Sequence, residues 1–83
     1  MSLEALIQAE KRAVGVKQTE KSVMKNNAAK VYVAADADER VTDNLLELCR
    51  ENGVEVISVE SMSELGKACG IHVKAAAAAV LKA

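Results

Sequence analysis

Two short runs rich in valine, separated by one helical segment, constrain the fold of this 83-residue chain more than any other feature. Residues 31–35 contain no charged side chain, and residues 54–59 include three valines and an isoleucine. Short apolar runs of this kind are typical of buried strands. Between them, Val41, Leu45 and Leu48 recur at helical spacing. Strands that alternate with helices predict a layered α/β domain rather than a helical bundle.

Turn and capping residues mark the ends of the later helices. The turn Asp36-Ala37-Asp38 supplies an aspartate suited to an N-cap. Asn52-Gly53 is a typical helix end. Ser61 and Glu64 match the S-x-x-E capping box, so a short helix is expected from there to Gly70.

The remaining segments are less uniform. Apolar spacing predicts a helix over residues 3–14, which Gly15 interrupts, and a second helix over residues 17–26, which Asn26-Asn27 ends. Residues 75–79 are five alanines. Alanine favours a helix by intrinsic propensity, whereas a small sheet would gain a third strand there. The residues alone leave these two structures open.

Length and composition exclude several classes of protein. A chain of 83 residues predicts a single domain, residues 1–83. One tyrosine and no phenylalanine or tryptophan argue against an aromatic base-stacking platform. No run approaches the ~20 apolar residues of a membrane span, and no secretory signal is recognisable, so the cytoplasm is expected. Cys49 and Cys69 are then expected to be reduced and partly buried.

Catalytic and metal-binding sets are not recognisable. His72 lies in Cys69-x-x-His72, but a zinc site needs a second ligand pair, so neither a metal nor a cofactor is predicted. Residues 15–19 lack the spacing of a phosphate-binding loop. Asp36 and Asp38 could act as paired carboxylates, although such residues more often cap a helix. The sequence therefore favours a protein that is not an enzyme.

Charge is distributed unevenly along the chain. Residues 11–30 hold six basic residues and one acid, residues 31–66 hold nine acids and two basic residues, and residues 67–83 hold three lysines and no acid. Lys17, Lys21 and Lys25 recur every four residues, which places them on one helix face. This face is either merely solvated or binds an anion. In the second case, the helix start after Gly15 would add backbone N–H donors. Nucleic acid is the obvious polyanion.

Gly66 lies inside the short helix predicted after residue 61. Glycine there costs roughly 1 kcal/mol relative to alanine. Close approach of another backbone, from the protein or from a ligand, would explain it. Tight packing of this helix against the first or second helix is the alternative.

Three blocks of sequence resemble the 7Ae/30e family of ribosomal proteins, which includes small bacterial members that bind kink-turn RNA. The first runs from Gly15 to Lys21 and resembles the motif G-x-[NK]-[EQ]-x-x-K. The second is the segment V-Y-V-A-A-D-A-D, residues 31–38. The third, L-G-K-A-C-G-I, residues 65–71, resembles L-G-x-A-x-G-[IV]. The blocks occur in order at compatible spacing across nearly the whole chain.

This resemblance implies a three-layer α/β/α sandwich around a small mixed four-stranded sheet, with residues 75–81 as a strand. It also implies binding of kink-turn or related internal-loop RNA with tandem sheared G·A pairs, such as a ribosomal RNA or a riboswitch. The helix after Gly15 would enter the RNA groove, and the loop over residues 59–62 would cover flipped-out nucleotides. The RNA-binding residues implied are Gly15, Lys17, Gln18, Thr19, Lys21, Val41, Val59, Glu60, Ser61, Met62 and Lys67, with Lys25 as a further phosphate contact.

Two departures from the family pattern bear on RNA choice and on the helix start. Lys17-Gln18 replaces the Asn-Glu of many members, so a carboxylate for guanine recognition is not available. The acidic turn lacks the proline often found after its second acid.

From the resemblance as a whole, we expect a monomeric RNA-binding protein associated with the ribosome or another ribonucleoprotein. The alternatives are a protein-interaction module that uses the acidic face of residues 36–64 and, less favoured, a nucleotide-binding enzyme subunit.

Overall fold

Helices and strands alternate along residues 3–82, the part of the chain that the computed structural model describes. The helices are α1 (Leu3–Gln8), α2 (Val16–Met24), α3 (Glu39–Asn52) and α4 (Met62–Ala68). The strands are β1 (Arg12–Val14), β2 (Ala28–Ala34), β3 (Glu55–Val59) and β4 (Ala77–Leu81).

The four strands form one mixed sheet in the order β1-β4-β2-β3. Strands β2 and β3 are parallel, whereas β4 runs antiparallel to both β1 and β2. Tyr32 of β2 lies opposite Ile57 of β3 on one side and Ala78 of β4 on the other. The prediction of a small mixed four-stranded sheet is confirmed.

Both faces of the sheet are covered by helices. Successive residues of a strand point to opposite faces. Val31 and Val33 belong to one core cluster, which α2 and α3 complete. Tyr32 and Ala34 belong to the other, which α1 and α4 complete. The result is the predicted three-layer α/β/α sandwich, and its single aromatic residue is fully buried.

Of the five alanines, residues 75 and 76 precede β4 and residues 77–79 are its first three residues. Ala77, Ala78 and Ala79 are fully buried between the neighbouring strands β1 and β2. Their small side chains allow helices to approach the sheet closely from both sides. Sheet completion therefore overrides the intrinsic helix preference of alanine. The strand that the resemblance implied is confirmed, with its start at residue 77 rather than 75.

The helix predicted over residues 3–14 is wrong in its second half. Helix α1 ends at Gln8, and residues 12–14 instead form β1, the edge strand beside β4. The guanidinium of Arg12 donates to the carbonyl oxygens of Leu6 at 2.9 Å and Ala68 at 3.4 Å. These bonds satisfy carbonyls at the ends of two helices. Ala13 packs on the sheet face opposite Leu6, so their helical spacing was coincidental.

The other helix boundaries follow the local signals closely. Helix α2 starts at Val16 and ends at Met24, and Asn26 then adopts a left-handed φ of 59°. The Asp38 side chain accepts from the backbone N–H of Arg40 at 2.9 Å, which confirms it as the N-cap of α3. Gly53 ends α3 at φ 66°, a conformation that favours glycine.

The two cysteines lie on opposite faces of the sheet. Cys49 belongs to the cluster under α2 and α3, and Cys69 belongs to the cluster under α1 and α4. Both thiols are free and buried. Burial raises the pKa of each thiol, an effect that Arg12 partly opposes at Cys69. The sheet separates the two sulfur atoms, which agrees with the expectation of reduced thiols.

Replacing Ser61 by alanine is expected to lower the free energy of unfolding by about 1 kcal/mol. The Ser61 hydroxyl accepts from the backbone N–H of Glu64 at 3.1 Å, and the variant leaves that donor without its cap. Urea unfolding of the RNA-free protein measures the change. Ser63→Ala removes the same hydroxyl from the same helix but no cap, so its stability should match or slightly exceed that of the parent. An equal loss in both variants would contradict the capping role.

Candidate nucleic-acid interface

Three helices start from the same edge of the sheet. Strands β1 and β2 are both antiparallel to β4, so β1, β2 and β3 run in the same direction. Their carboxyl ends therefore meet at one edge, together with the start of β4. Helices α2, α3 and α4 each follow one of these strand ends. We call this the helix-start edge, formed by residues 14–16, 34–39, 59–62 and 74–77.

Backbone hydrogen bonds from residues 75–77 hold this edge together. This segment crosses the ends of the other strands, and each of its residues bonds a different segment. The bonds are Gly15 N–H to Ala77 O at 2.8 Å, Ala34 N–H to Ala76 O at 2.9 Å, and Ala75 N–H to Met62 O at 3.1 Å. The motif that starts α2 is thus linked to the loop before α4, although 47 positions of sequence separate Gly15 from Met62.

Asp36 connects two further segments of the helix-start edge. Its carboxylate accepts from the backbone N–H of Met62 at 2.8 Å. The adjacent Ala35 N–H donates to Val59 O at 2.7 Å. The acidic turn after β2 therefore fixes the loop before α4. Asp38 caps α3, the more common of the two roles that the sequence left open, whereas Asp36 accepts from the first N–H of α4 across the two loops.

Gly15 gives α2 an unusual start. Its φ of 97° lies in the region that side chains other than glycine rarely adopt, and no side chain caps the helix. In contrast, Asp38 caps α3 and Ser61 caps α4. The first N–H groups of a helix have no acceptor within that helix. Helix α2 thus presents uncapped donors at its positive end.

The basic stripe, defined as Lys17, Lys21 and Lys25, is exposed along α2. Gln18 is exposed beside it. Glu20, the acid in this segment, accepts a hydrogen bond from Asn44 of α3 at 3.2 Å and so lies on another side of the helix. Among residues 3–82, no carboxylate forms an ion pair with these lysines. The stripe keeps its positive charge.

A shallow groove runs along the basic stripe. It has a volume of about 360 Å³ and separates α2 from the edge strand β1. Gln18, Lys21 and Lys25 line one wall, and Val14 lies on the other. Arg12 also lines the groove on the β1 side, so most of the lining side chains are cationic or polar, which suits phosphate contacts.

Two of the residues implied by the resemblance have buried side chains. Thr19 is fully buried on the inner face of α2, and its hydroxyl has no hydrogen-bond partner in the part of the chain that the structure describes. Val59 is 4% exposed and belongs to the core cluster under α4. Neither side chain reaches the surface. Both residues can affect a ligand only through the position of their neighbours.

The remaining residues of the implied set lie at or near the surface. Glu60 and Lys67 are exposed, and Ser61 and Met62 are half-buried, with Ser61 engaged as a cap. Val41 is 49% exposed in the first turn of α3. The structure therefore places the loop of residues 59–62 at the same sheet edge as Gly15. Val41 lies near this edge, in the first turn of α3.

Sequence reasoning misses three side-chain contacts. Asp36 was recognised as a possible cap, but its bond to Met62 crosses between loops and has no local signal. The capture of Glu20 by Asn44 also depends on how α2 packs on α3. Arg12 is one of the basic residues of residues 11–30, yet its guanidinium donates to carbonyl oxygens near the ends of α1 and α4, at the opposite edge of the sheet.

Residues 3–82 contain neither a candidate metal site nor a candidate membrane span. No group of three or more His, Cys, Asp or Glu side chains within that range is arranged to hold a metal ion. None of the helices there is both long and apolar enough to cross a membrane.

Comparison with known proteins assigns the family. The model of the ribosomal protein L7Ae/L30e/S12e/Gadd45 family matches residues 2–83. The chain belongs to this family. An RNA-binding protein of Caldanaerobacter subterraneus subsp. tengcongensis is 48% identical over 69 residues, which cover 83% of this chain and 84% of that protein.

Two further relatives extend the comparison. The large ribosomal subunit protein eL8 of Halobacterium salinarum is 44% identical over 70 residues, covering 83% of this chain and 58% of that protein. The structure of the 15.5kD RNA binding protein of Giardia lamblia matches with a TM-score of 0.88 at 28% identity, covering 99% of this chain and 72% of that chain. These are RNA-binding and ribosomal proteins rather than enzymes, as the sequence predicts. The family resemblance and the fold class are confirmed.

Proposed function

We propose that this protein binds RNA, and specifically a kink-turn or related internal loop with tandem sheared G·A pairs. The observation that carries the proposal is the uncapped start of α2 at Gly15, beside exposed Lys17 and Gln18. The family and the names of its RNA-binding and ribosomal members support RNA as the partner.

The start of α2 suits entry into a widened RNA groove. Regular A-form RNA has a deep, narrow major groove that side chains cannot read. A kink widens that groove, so a helix end can enter. The free N–H groups and the positive end of the helix dipole then favour RNA oxygen atoms. Gly15 has no atom within 4 Å of the place where a side chain would begin, which leaves room for close approach of the RNA backbone.

Lys17 and Gln18 are proposed to contact base edges. The Lys17 ammonium can donate to O6 and N7 of guanine, which are acceptors. The Gln18 amide both donates and accepts, so it can pair with a guanine or an adenine edge of a sheared G·A pair. This chemistry differs from that of Asn-Glu, in which a carboxylate accepts from guanine. RNA choice should therefore differ between the two motifs.

The surrounding surface is proposed to complete the interface. Lys21, Lys25 and Lys67 would contact phosphates, since each is exposed and none is neutralised by an ion pair within residues 3–82. The loop of residues 59–62 would cover flipped-out nucleotides, and Val41 would offer an apolar contact. The protein would act as a monomer on ribosomal RNA or on another ribonucleoprotein RNA.

A comparison of two RNAs tests the proposal. One is a kink-turn duplex, and the other is a duplex of equal length in which Watson–Crick pairs replace the bulge and the sheared G·A pairs. Binding is measured by titration at two salt concentrations. We expect the kink-turn to bind more tightly at both concentrations, although both RNAs bind more weakly at higher salt because counterion release then contributes less to association.

Equal affinity for the two RNAs would overturn the kink-turn proposal. A capture experiment from nuclease-treated lysate addresses the acidic face separately. A protein partner retained without RNA would support the interaction module instead.

A further inference from the structure

A second groove lies on the α4 side of the helix-start edge. We call it the α4 groove. It has a volume of about 550 Å³ and lies between α4 and the loop that follows this helix. Its lining residues are Ser63, Lys67, Ile71, His72, Val73 and Lys74.

Gly66 determines how closely that loop approaches α4. An ideal Cβ at Gly66 would overlap the carbonyl oxygen of Val73 and lie 3.2 Å from its carbonyl carbon. The N–H of Ile71 also donates to Gly66 O at 3.1 Å. The loop of residues 71–74 is thus packed against the helix backbone. Of the two explanations that the sequence left open, backbone approach is correct, and the partner is this loop rather than the first or second helix.

This packing sets two pairs of polar side chains around the groove. Ser63 and Lys67 are four residues apart on α4 and so lie on the same helix face. His72 and Lys74 come from the packed loop, and both are exposed, as is Lys67. No acidic side chain lines the groove. Among residues 3–82, neither lysine forms an ion pair with a carboxylate. The groove therefore combines two uncompensated cations with a hydroxyl and an imidazole.

The α4 groove opens beside the loop proposed to cover flipped-out nucleotides. Lys74 directly precedes Ala75, whose N–H donates to Met62 O at 3.1 Å. Ser63 directly follows Met62 in sequence. The groove therefore begins within one or two residues of the loop of residues 59–62. An RNA strand that passes over this loop would reach it.

We propose that the α4 groove binds a backbone phosphate of the RNA strand that leaves the kink over residues 59–62. Lys67 and Lys74 neutralise the phosphate, and Ser63 and His72 provide hydrogen-bond donors. The contact extends the interface from the basic stripe on α2, on one face of the sheet, to the opposite face. It rests on the proposed function, because it requires RNA already docked at the helix-start edge.

The Lys74→Gln variant of the full chain tests the groove with the same kink-turn RNA. Loss of one solvent-exposed phosphate contact, with the net value of an ordinary hydrogen bond, should weaken binding by about 3- to 10-fold at low salt. The slope of log affinity against log salt should fall in magnitude by about 0.7, since one single-stranded phosphate is no longer neutralised. Lys11→Gln is the matched control, because Lys11 is also exposed but precedes β1 at the opposite edge of the sheet. That control should bind like the parent.

A shortened RNA locates the contact. When the strand that leaves the kink is cut back past the flipped-out nucleotides, the parent and Lys74→Gln should bind equally well. Thermal unfolding followed by circular dichroism should give the same Tm for both proteins, because Lys74 is exposed.

Three results would overturn the groove proposal while the parent still prefers the kink-turn to the plain duplex. The first is unchanged affinity and salt slope in Lys74→Gln. The second is an equal loss in Lys11→Gln, which would indicate general electrostatics. The third is a Lys74→Gln defect that persists on the shortened RNA. Failure of the parent to distinguish the two RNAs would instead refute the proposed function itself, so the two failures are distinguishable.

Discussion

A variant carrying both Lys17→Ala and Gln18→Ala is expected to lose most of its affinity for kink-turn RNA. Each good base contact is worth about 1–3 kcal/mol by analogy with DNA readout, so the pair should lower affinity by roughly 30-fold or more. Both side chains are exposed at the start of α2, so the fold should be unaffected. Titration of parent and variant into the same RNA measures the loss.

The chain offers a matched control for this double variant. Gln8→Ala with Lys11→Ala removes the same two side-chain types from exposed positions that precede β1. These positions lie away from the helix-start edge, so the control should bind within about twofold of the parent, apart from a small general salt effect. If both double variants bind as tightly as the parent, Lys17 and Gln18 make no base contact and the assignment of the interface to α2 fails.

Replacing Gly66 by alanine is expected to destabilise the protein by about 1–3 kcal/mol. Two effects compete at this position. Alanine is the better helix former by roughly 1 kcal/mol, which favours the variant. The added Cβ, however, would overlap the Val73 carbonyl, and a backbone group in a packed loop cannot move as a flexible side chain can. The steric cost should therefore exceed the gain. Urea unfolding measures the difference.

A second substitution distinguishes this cause from ordinary side-chain packing. Adding Val73→Ala to Gly66→Ala should not restore stability, because the overlap involves the main-chain carbonyl rather than the valine side chain. Val73 is 70% exposed, so its own truncation should cost little. Unchanged or increased stability in Gly66→Ala would show that the loop of residues 71–74 moves freely, and the packing described for the α4 groove would then be wrong.

The helix ends were predictable because their signals are local. Asp38 and Ser61 each accept a hydrogen bond from an N–H two or three residues later, and Gly53 takes the left-handed conformation at the end of α3. The buried strand β2 was also visible, since two covering layers require an apolar run without polar alternation. These features depend on residues that are neighbours in sequence.

The first and last strands were not predictable in the same way. The spacing of residues 3–14 fitted a helix, and alanine propensity left β4 undecided. Strand β1 exists because β4 lies beside it, with Ala13 opposite Ala79. Strand β4 forms because it pairs with both β1 and β2, and its small side chains fit the buried centre of the sheet. Each depends on a partner more than 60 positions away in sequence.

The candidate site shows the same division. Motif resemblance placed Thr19 and Val59 in the RNA-binding set, because a motif specifies positions rather than side-chain directions. The packing of α2 on α3 and of β3 under α4 buries both side chains. Lys74 and His72 lie in no motif, yet the fit of Gly66 to Val73 places them around a groove.

The amino-acid sequence by itself determined the alternation of buried strands and capped helices and the lysines of the basic stripe, because these follow from local propensity, spacing and composition. Its three motif blocks carried the resemblance to the family. The tertiary structure alone decided which lysines remain free of carboxylates, which loops share the helix-start edge, and what lies against Gly66. Glu20 accepts from Asn44, and Asp36 accepts from the N–H of Met62. Arg12 donates to carbonyl oxygens near the ends of α1 and α4. Such contacts form only when distant segments are brought together, so no local pattern specifies them.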